Sequence, residues 1–155
     1  MKIIKTVLLL LIACFLVFVC LSGNYADRPV EEIRQALLLQ PAVAALKAGT
    51  EQDFRRFYGL DTSAYEGCFV FLPQNTMDVD ELLVVKLKSS SQKADLEKLI
   101  LKRLENQKTS FEGYGVEQTA LLQQHILAFY GDYAFYAVSS DAEAWRQAFL
   151  TAIQG

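Results

Sequence analysis

His125 to Val138 reads HILAFYGDYAFYAV, and this stretch decides the fold. Six mostly apolar residues precede Gly131-Asp132, and six more follow it. A Gly-Asp pair between two apolar runs predicts a tight hairpin, because glycine adopts positive φ without steric cost. Both faces of this hairpin are apolar, so both need to be covered by other elements. Counting outward from the turn predicts five cross-strand pairs: Tyr130 with Tyr133, Phe129 with Ala134, Ala128 with Phe135, Leu127 with Tyr136 and Ile126 with Ala137.

Two further segments complete the predicted sheet. Residues 68–72 and 82–87 are short apolar runs separated by a polar turn, which predicts a second hairpin. With the helices around them, the order predicts an α+β fold in which a four-stranded antiparallel sheet of two hairpins carries packed helices. The helical patterns cover 29–40, 41–49, 50–58, 92–105, 116–124 and 140–153, with capping-box pairs at Thr50/Asp53, Ser89/Gln92 and Ser140/Glu143. The helices ahead of the sheet are available to cover its second apolar face.

Length and charge narrow the class of protein. The chain has 155 residues, a net charge of -3 and a hydrophobic fraction of 52%, which favours one compact domain with a short addition. The mild acidity argues against nucleic acid as a partner, because phosphate binding needs a basic patch. The basic residues of the second half alternate with acidic ones and predict a solvated face: Lys86, Lys88, Lys93, Lys98, Lys102 and Arg103.

An apolar N-terminal segment accounts for the excess hydrophobicity. Residues 3–21 are apolar apart from Lys5 and Thr6, and as a helix they span about 28 Å, close to the apolar thickness of a bilayer. Lys2 and Lys5 keep the N-terminus in the cytoplasm by the positive-inside rule. The sequence therefore predicts an anchor or signal segment over 1–22, a linker over 23–28 and an extracytoplasmic domain over 29–155.

The sequence allows three roles for the N-terminal segment. The first is an uncleaved single-pass anchor in the cytoplasmic membrane, and the second is a cleaved secretory signal. The third is a lipoprotein signal, for which Cys14 and Cys20 are the candidate lipidation sites. Leu11-Ile12-Ala13-Cys14 has the lipobox pattern but is followed by apolar residues, whereas Cys20 is better placed but preceded by Val. Cys68 lies alone in a predicted strand and is expected to be a small buried hydrophobe.

No constellation in the sequence predicts catalysis, a metal site or a cofactor. His125 has no cysteine or carboxylate at ligand spacing, so a structural role is expected. The acidic group Asp78, Asp80 and Glu81 lacks the spacing of a calcium loop and predicts a solvated turn. The remaining candidates for function are aromatic. We expect a candidate interaction surface at the hairpin turn and at the loop over 111–115, formed by Tyr114, Tyr130, Asp132 and Tyr133.

Three motifs in a fixed order carry a family resemblance: MDVDELLVVKLK from Met77, QKTSFEGY from Gln107 and GDYAFYAVSSDAEAWRQAF from Gly131. Over roughly residues 50–152 the chain resembles the bacterial family labelled domain of unknown function 4358. The resemblance implies a signal or lipid-anchor segment ahead of a small domain of helices and strands. It implies no established activity and brings no catalytic residues. The chain departs from the family at the lipobox, which is imperfect or misplaced here.

Three functions follow, in the order in which the sequence favours them. The first is a membrane-tethered, non-enzymatic interaction or accessory domain of the bacterial cell envelope, with an envelope protein as partner. The second is a binding module for an envelope glycan, peptide or small molecule. The third is an enzyme in which carboxylates such as Asp78 and Glu81 converge. A pocket with convergent polar groups favours the second or third, and a flat exposed apolar patch favours the first.

Overall fold

The computed structural model describes residue 7, residues 11–13 and residues 25–154. Within this part the fold is α+β, with an antiparallel sheet between two layers of helices. The strands are β1 (Lys47–Ala48), β2 (Gly67–Leu72), β3 (Glu81–Lys86), β4 (Ile126–Tyr130) and β5 (Tyr133–Val138). The helices are α1 (Val30–Leu38), α2 (Pro41–Ala44), α3 (Glu51–Asp53), α4 (Lys93–Phe111), α5 (Val116–Gln123) and α6 (Ala142–Ile153), with a π-helical turn over Phe54–Tyr58 directly after α3.

The hairpin β4–β5 has the register that the sequence predicts. All five predicted pairs are present, from Tyr130 with Tyr133 next to the turn to Ile126 with Ala137 at its open end. Gly131 has φ 57°, whereas Asp132 has a negative φ, so the glycine occupies the one turn position that requires the left-handed region. Glycine at the first central position is the pattern of a type II′ turn, which matches the twist of the strands.

The sheet has five strands rather than the predicted four. Its order is β1-β2-β3-β5-β4, so the second predicted hairpin, β2–β3, joins the first through β3 and β5. The missed strand is β1, which the sequence pattern placed in a helix over 41–49. The helix ends at Ala44, and Lys47 and Ala48 then pair with Leu72 and Phe71.

The sequence did not predict β1 because this strand depends on a close contact between Gly49 and Val70, which are distant in sequence. The Gly49 amide donates to the Val70 carbonyl at 2.8 Å, and a Cβ at this position would lie 2.3 Å from Val70 Cγ1. The edge pairing therefore depends on the absence of a side chain at Gly49 and on a neighbour that is distant in sequence. Lysine and alanine carry no strand preference of their own, so local propensity could not indicate it.

Each face of the sheet is covered by its own pair of helices. On one face, α1 and α6 contribute Ile33, Leu37, Trp145, Phe149 and Ile153 to a core with β2, β3 and β5. On the other face, α4 and α5 pack with the π-helical turn, and their buried side chains are Phe54, Tyr58, Leu96, Ile100, Leu104, Phe111 and Leu122. We expected helices ahead of the sheet to cover its second face. Helix α1 does so, and it packs on that face beside α6.

Two of the three predicted capping boxes form. At Thr50 the backbone amide donates to Asp53 Oδ2 at 2.8 Å, and at Ser89 the amide donates to Gln92 Oε1 at 3.3 Å. The capping box predicted at Ser140 and Glu143 does not form, so this prediction is wrong. Glu143 instead accepts hydrogen bonds from Arg146 at 2.6 and 2.8 Å, and this ion pair holds its pKa down at about 2.

The N-terminal predictions fall mainly outside the described residues. This applies to most of the anchor segment over 3–21 and to both candidate lipidation sites, Cys14 and Cys20. In the part of the chain that the structure describes, no helix combines the length and the apolar character needed to cross a bilayer.

Replacing Gly131 with alanine tests the turn. We expect Gly131→Ala to lower the free energy of unfolding by about 1–2 kcal/mol, because an L-residue in the left-handed region is strained. The new Cβ would also lie 3.1 Å from Tyr25 Cδ2. Urea denaturation measures the effect, with Asp132→Ala at the adjacent turn position as the control. Equal stability of the two variants would show that the positive φ is not required.

Candidate functional site

Glu81 is a fully buried carboxylate at the start of β3. Its side chain points to the α4 face of the sheet and accepts a hydrogen bond from the Tyr58 hydroxyl. Arg103 of α4 donates to it through Nε at 3.3 Å and Nη2 at 2.9 Å, and Gln107 Nε2 donates at 3.0 Å. The prediction that Glu81 belongs to a solvated turn with Asp78 and Asp80 is therefore wrong. The strand begins at Glu81, so its side chain takes the inward direction of Leu83 and Val85.

The groups around Glu81 keep the protonation states that this network needs. Burial, and then the nearby Glu81 charge, raise the pKa of Tyr58 well above its usual value, so this hydroxyl remains a donor. Burial acts to lower the pKa of Arg103, but the Glu81 carboxylate more than reverses this effect. The result is a charged pair inside the protein with hydrogen bonds on both sides. Such a pair fixes geometry, and removing one partner leaves an uncompensated buried charge.

A polar cleft of about 340 Å³ opens beside this network. It lies between the π-helical turn, the β2–β3 loop and the C-terminal half of α4. We call it the polar cleft. Three cations and two carboxylates line it, together with amides, hydroxyls and two aromatic rings: Lys47, Arg56, Arg103, Asp53, Asp78, Gln74, Asn75, Thr76, Gln107, Ser110, Phe57 and Phe111, with Leu72 and Pro73.

Two of the cleft's cations are available to a ligand. Arg103 is held by Glu81, whereas Lys47 and Arg56 form no ion pair with any carboxylate of the described residues. Arg56 lies over the Phe57 ring, 5.2 Å from its centroid, and Arg103 lies 4.6 Å from the same centroid. Both guanidinium groups therefore contact the Phe57 ring through cation–π interactions.

Gln107 contributes a buried acceptor to the wall of the polar cleft. The residue is 5% exposed, and its Nε2 donates to Glu81 Oε2 at 3.0 Å. Its Oε1 accepts no hydrogen bond from the described residues. The amide cannot rotate by half a turn to relieve this, because Oε1 would then face the carboxylate. Buried acceptors are nearly always satisfied in proteins, so Gln107 Oε1 is a candidate contact for a ligand.

A second cleft, of about 380 Å³, lies at the opposite end of the sheet. There the residues 25–28, which we call the strap, cross the end of β3 and the start of β5. Lys86 is 5% exposed and forms ion pairs with Asp27 and, at 2.7 Å, with Glu66. Its ammonium group also lies 5.6 Å from the centroid of the Tyr133 ring. The prediction that Lys86 belongs to a solvated face is wrong, because the strap and Glu66 cover it.

The strap is fixed to the domain by hydrogen bonds. The Tyr133 hydroxyl accepts from the Arg28 amide at 2.8 Å and lies 2.9 Å from the Arg28 carbonyl and 3.2 Å from the Ala26 carbonyl. The Ala26 amide donates to the Ile153 carbonyl at 2.7 Å, and Tyr25 packs edge-on against Tyr130. Residues 25–28, predicted as part of a linker, are thus docked on the hairpin tip.

The predicted interaction surface is not one surface. Tyr114 is exposed and packs beside Phe111 on the α4 face, whereas Tyr130 and Tyr133 belong to the opposite face. Asp132 is exposed at the turn and Tyr130 is half-buried. Tyr133 is 2% exposed, so its prediction as a surface residue is wrong; the strap covers its ring and hydroxyl.

Two other expectations concern single side chains. His125 Nδ1 lies 2.9 Å from the Leu122 carbonyl, a contact that joins α5 to β4 and agrees with a structural role. Cys68 is a half-buried free thiol, and burial raises its pKa to about 11. A thiol with so high a pKa is a poor nucleophile, since the thiolate is the reactive form.

The residues that form the polar cleft were missed from the sequence, apart from Asp78. A signal for two of them was present. Arg103 and Gln107 fall at helical spacing among the buried residues Ile100, Leu104 and Phe111 of α4. A cation and an amide inside an apolar stripe indicate a buried polar partner. Lys47 and Arg56 carry no such signal, because only the tertiary fold brings β1 and the π-helical turn to α4.

Comparison with known proteins gives one finding beyond the geometry. A family model described as Domain of unknown function (DUF4358) matches residues 42–139, which is more than half of the chain. The chain belongs to this family. The matched residues include all five strands, β1 to β5. The match confirms the resemblance seen in the sequence. No curated protein matches the chain, and no solved structure matches it.

The buried ion pair leads to a stability prediction. We expect Arg103→Met to lower the free energy of unfolding by about 3–5 kcal/mol, because Glu81 would remain buried without its cation. Lys102→Met, an exposed neighbour on α4, is the matched control and should change stability little. In urea denaturation, the double variant Glu81→Gln with Arg103→Met should lose less than the two single variants together. Additive losses would contradict the coupling.

Loss of the Tyr133 hydroxyl tests the attachment of the strap. We expect Tyr133→Phe to speed hydrogen exchange of the Arg28 amide about tenfold while the core stays folded, because this amide loses its acceptor. Amide exchange by NMR measures the rate. Tyr130→Phe is the control, since the Tyr130 hydroxyl accepts from Arg146 and does not contact the strap backbone. An unchanged Arg28 rate would mean that the strap is held by other contacts.

Proposed function

We propose that this chain is a membrane-tethered, extracytoplasmic binding domain of the bacterial cell envelope, without catalytic activity, and that the polar cleft holds its ligand. The observation that carries the proposal is the set of polar groups that converge on the polar cleft, with Lys47 and Arg56 unpaired within the described residues. A concave site with a few convergent polar groups and aromatic walls is typical of a ligand site.

The state of the carboxylates supports binding rather than catalysis. Glu81 is sealed in the interior and accepts bonds from three side chains, so it cannot reach a substrate in the polar cleft. Asp78 lines the cleft but accepts from Asn75, and Asp53 accepts from Thr50. Ser110, the hydroxyl of the cleft, donates to the Asn106 carbonyl at 2.8 Å and therefore faces no general base.

The tether is inferred from the N-terminal sequence, where residues 3–21 are apolar and Lys2 and Lys5 precede most of them. The positions of the strap and the polar cleft support this arrangement. The strap crosses β3 at its end, Lys86, and the polar cleft lies where β3 begins at Glu81, about 17 Å away along the strand. A domain tethered by its strap would hold the polar cleft on the side remote from the membrane.

A protein partner is the second candidate, and exposed apolar side chains favour it. Met77, Tyr114 and Val116 are 55%, 63% and 82% exposed, respectively, although each is large and apolar. They lie in the β2–β3 loop and at the junction of α4 and α5, which the Gln118 side chain joins by donating to the Met77 carbonyl at 3.0 Å. Apolar exposure of this kind marks a surface for a protein partner.

Two measurements on the full-length chain in its native membrane test the proposal. A protease added outside intact spheroplasts should remove a tag placed after Gly155, and protection of the tag would contradict an extracytoplasmic domain. A photo-reactive amino acid at Thr76, in the polar cleft, should crosslink a ligand or partner, whereas the same group at Gln147 on α6 should not.

A cleft-filling variant shows whether that crosslink requires the polar cleft. Ser110→Trp places a large side chain in the cleft and should abolish the Thr76 crosslink. Thr109→Trp, on the adjacent exposed position of α4, is the matched control and should leave it intact. Crosslinking that survives Ser110→Trp would assign the contact to the neighbouring apolar surface and would favour the protein partner.

A further inference from the structure

We infer that the polar cleft recognises a carboxylate carried on a peptide, with Lys47 and Arg56 as its cationic contacts and Gln107 as an acceptor for a peptide N–H. This inference rests on the proposed binding function and names the class of ligand. It is carried by two features of the cleft: its two cations without an ion pair among the described residues, and the orphan acceptor of Gln107.

The charge of the cleft limits the charge of its ligand. Once Arg103 is assigned to Glu81, two available cations, Lys47 and Arg56, face two carboxylates, Asp53 and Asp78. Asp53 lies near both available cations; hydrogen bonds from Thr50 lower its pKa most, and Lys47 and Arg56 lower it further. A singly charged carboxylate can contact both cations while adding only one negative charge to the cleft. A phosphate would carry about 1.5–2 negative charges toward Asp53 and Asp78, which would repel it.

The two available cations come from different elements. Lys47 belongs to β1, whose backbone pairs with Leu72 at the edge of the sheet. Arg56 belongs to the π-helical turn, and its guanidinium group is held over the Phe57 ring at 5.2 Å. A planar guanidinium offers two parallel N–H donors, which match the two oxygens of a carboxylate. Arg55, one residue earlier, is exposed and does not line the cleft.

Gln107 supplies the preference for a peptide. Its Oε1 has no donor among the described residues, and its orientation is fixed because Nε2 donates to Glu81. An acceptor in this position is satisfied by an N–H of the ligand. Of the other amides on the cleft, Asn75 is already bonded to Asp78 and to the Met77 amide, and Gln74 donates to the Ala45 carbonyl. The aromatic rings of Phe57 and Phe111 provide apolar contact for a small side chain.

The test uses a pair of probes that differ only in the carboxylate. N-acetyl-trialanine and its C-terminal amide are titrated into the full-length chain in nanodiscs, with arginine labelled by ¹⁵N. The Nε–Hε signal of Arg56, identified by its loss in Arg56→Gln, should shift with the free acid. The amide should bind at least about tenfold more weakly, because it lacks the charge that the cations recognise.

Matched variants locate the contact. Lys47→Gln and Arg56→Gln should each weaken binding of the free acid about tenfold or more, followed for Arg56→Gln through the remaining arginine and backbone signals. Arg55→Gln and Lys98→Gln, which remove exposed cations outside the cleft, should not weaken it. Backbone spectra that keep the wild-type dispersion show that each variant is folded.

Several results would overturn the inference. These are equal binding of the acid and the amide, equal loss in Arg55→Gln and Arg56→Gln, and no binding of the acid at millimolar concentrations. Tighter binding of glucuronate than of N-acetyl-trialanine would assign the carboxylate to an acidic sugar and overturn the peptide. In each case a Thr76 crosslink that Ser110→Trp abolishes would leave the proposed binding function standing, so the two failures are distinguishable.

Discussion

A sheet that is apolar on both faces has to be covered on both faces, and the arrangement of this protein depends on that constraint. The central strand β3 is buried at every position from Glu81 to Lys86. Helices from both ends of the chain, α1 and α6, cover one face, and the helices between the hairpins cover the other. With both faces covered, the two charged residues of β3 lie at the two ends of the strand. Both clefts are found there.

The charged residues at the ends of β3 show how the core and the clefts are connected. Glu81 is neutralised by Arg103 from α4, and Lys86 by Asp27 of the strap and by Glu66. Each charge sits at the boundary between the apolar interior and a cleft. Breaking such a pair would leave a buried charge, so the same contacts that shape a cleft also stabilise the fold. The part of the polar cleft formed by Arg103 and Gln107 is therefore held by Glu81, so these two side chains need little ordering when a ligand binds.

The sequence predicted those parts of the fold that depend on contacts between residues close together in the chain. The register of β4–β5 follows from Gly131-Asp132 and the alternation beside it, and two capping boxes follow from residues three apart. Apart from the capping box at Ser140 and Glu143, where Glu143 pairs with Arg146 instead, the errors involve contacts between distant segments. β1 needs the close approach of Gly49 to Val70, and the burial of Lys86 and Tyr133 needs the strap. The polar cleft was missed for the same reason, since its residues come from four separate segments.

The position of the strap gives the domain a direction. Ala26 of the strap donates to the Ile153 carbonyl, and Tyr133 bonds to Arg28, so residues 25–28 have a fixed position at one end of the sheet. The polar cleft lies at the other end of β3, so the docked strap leaves the cleft open.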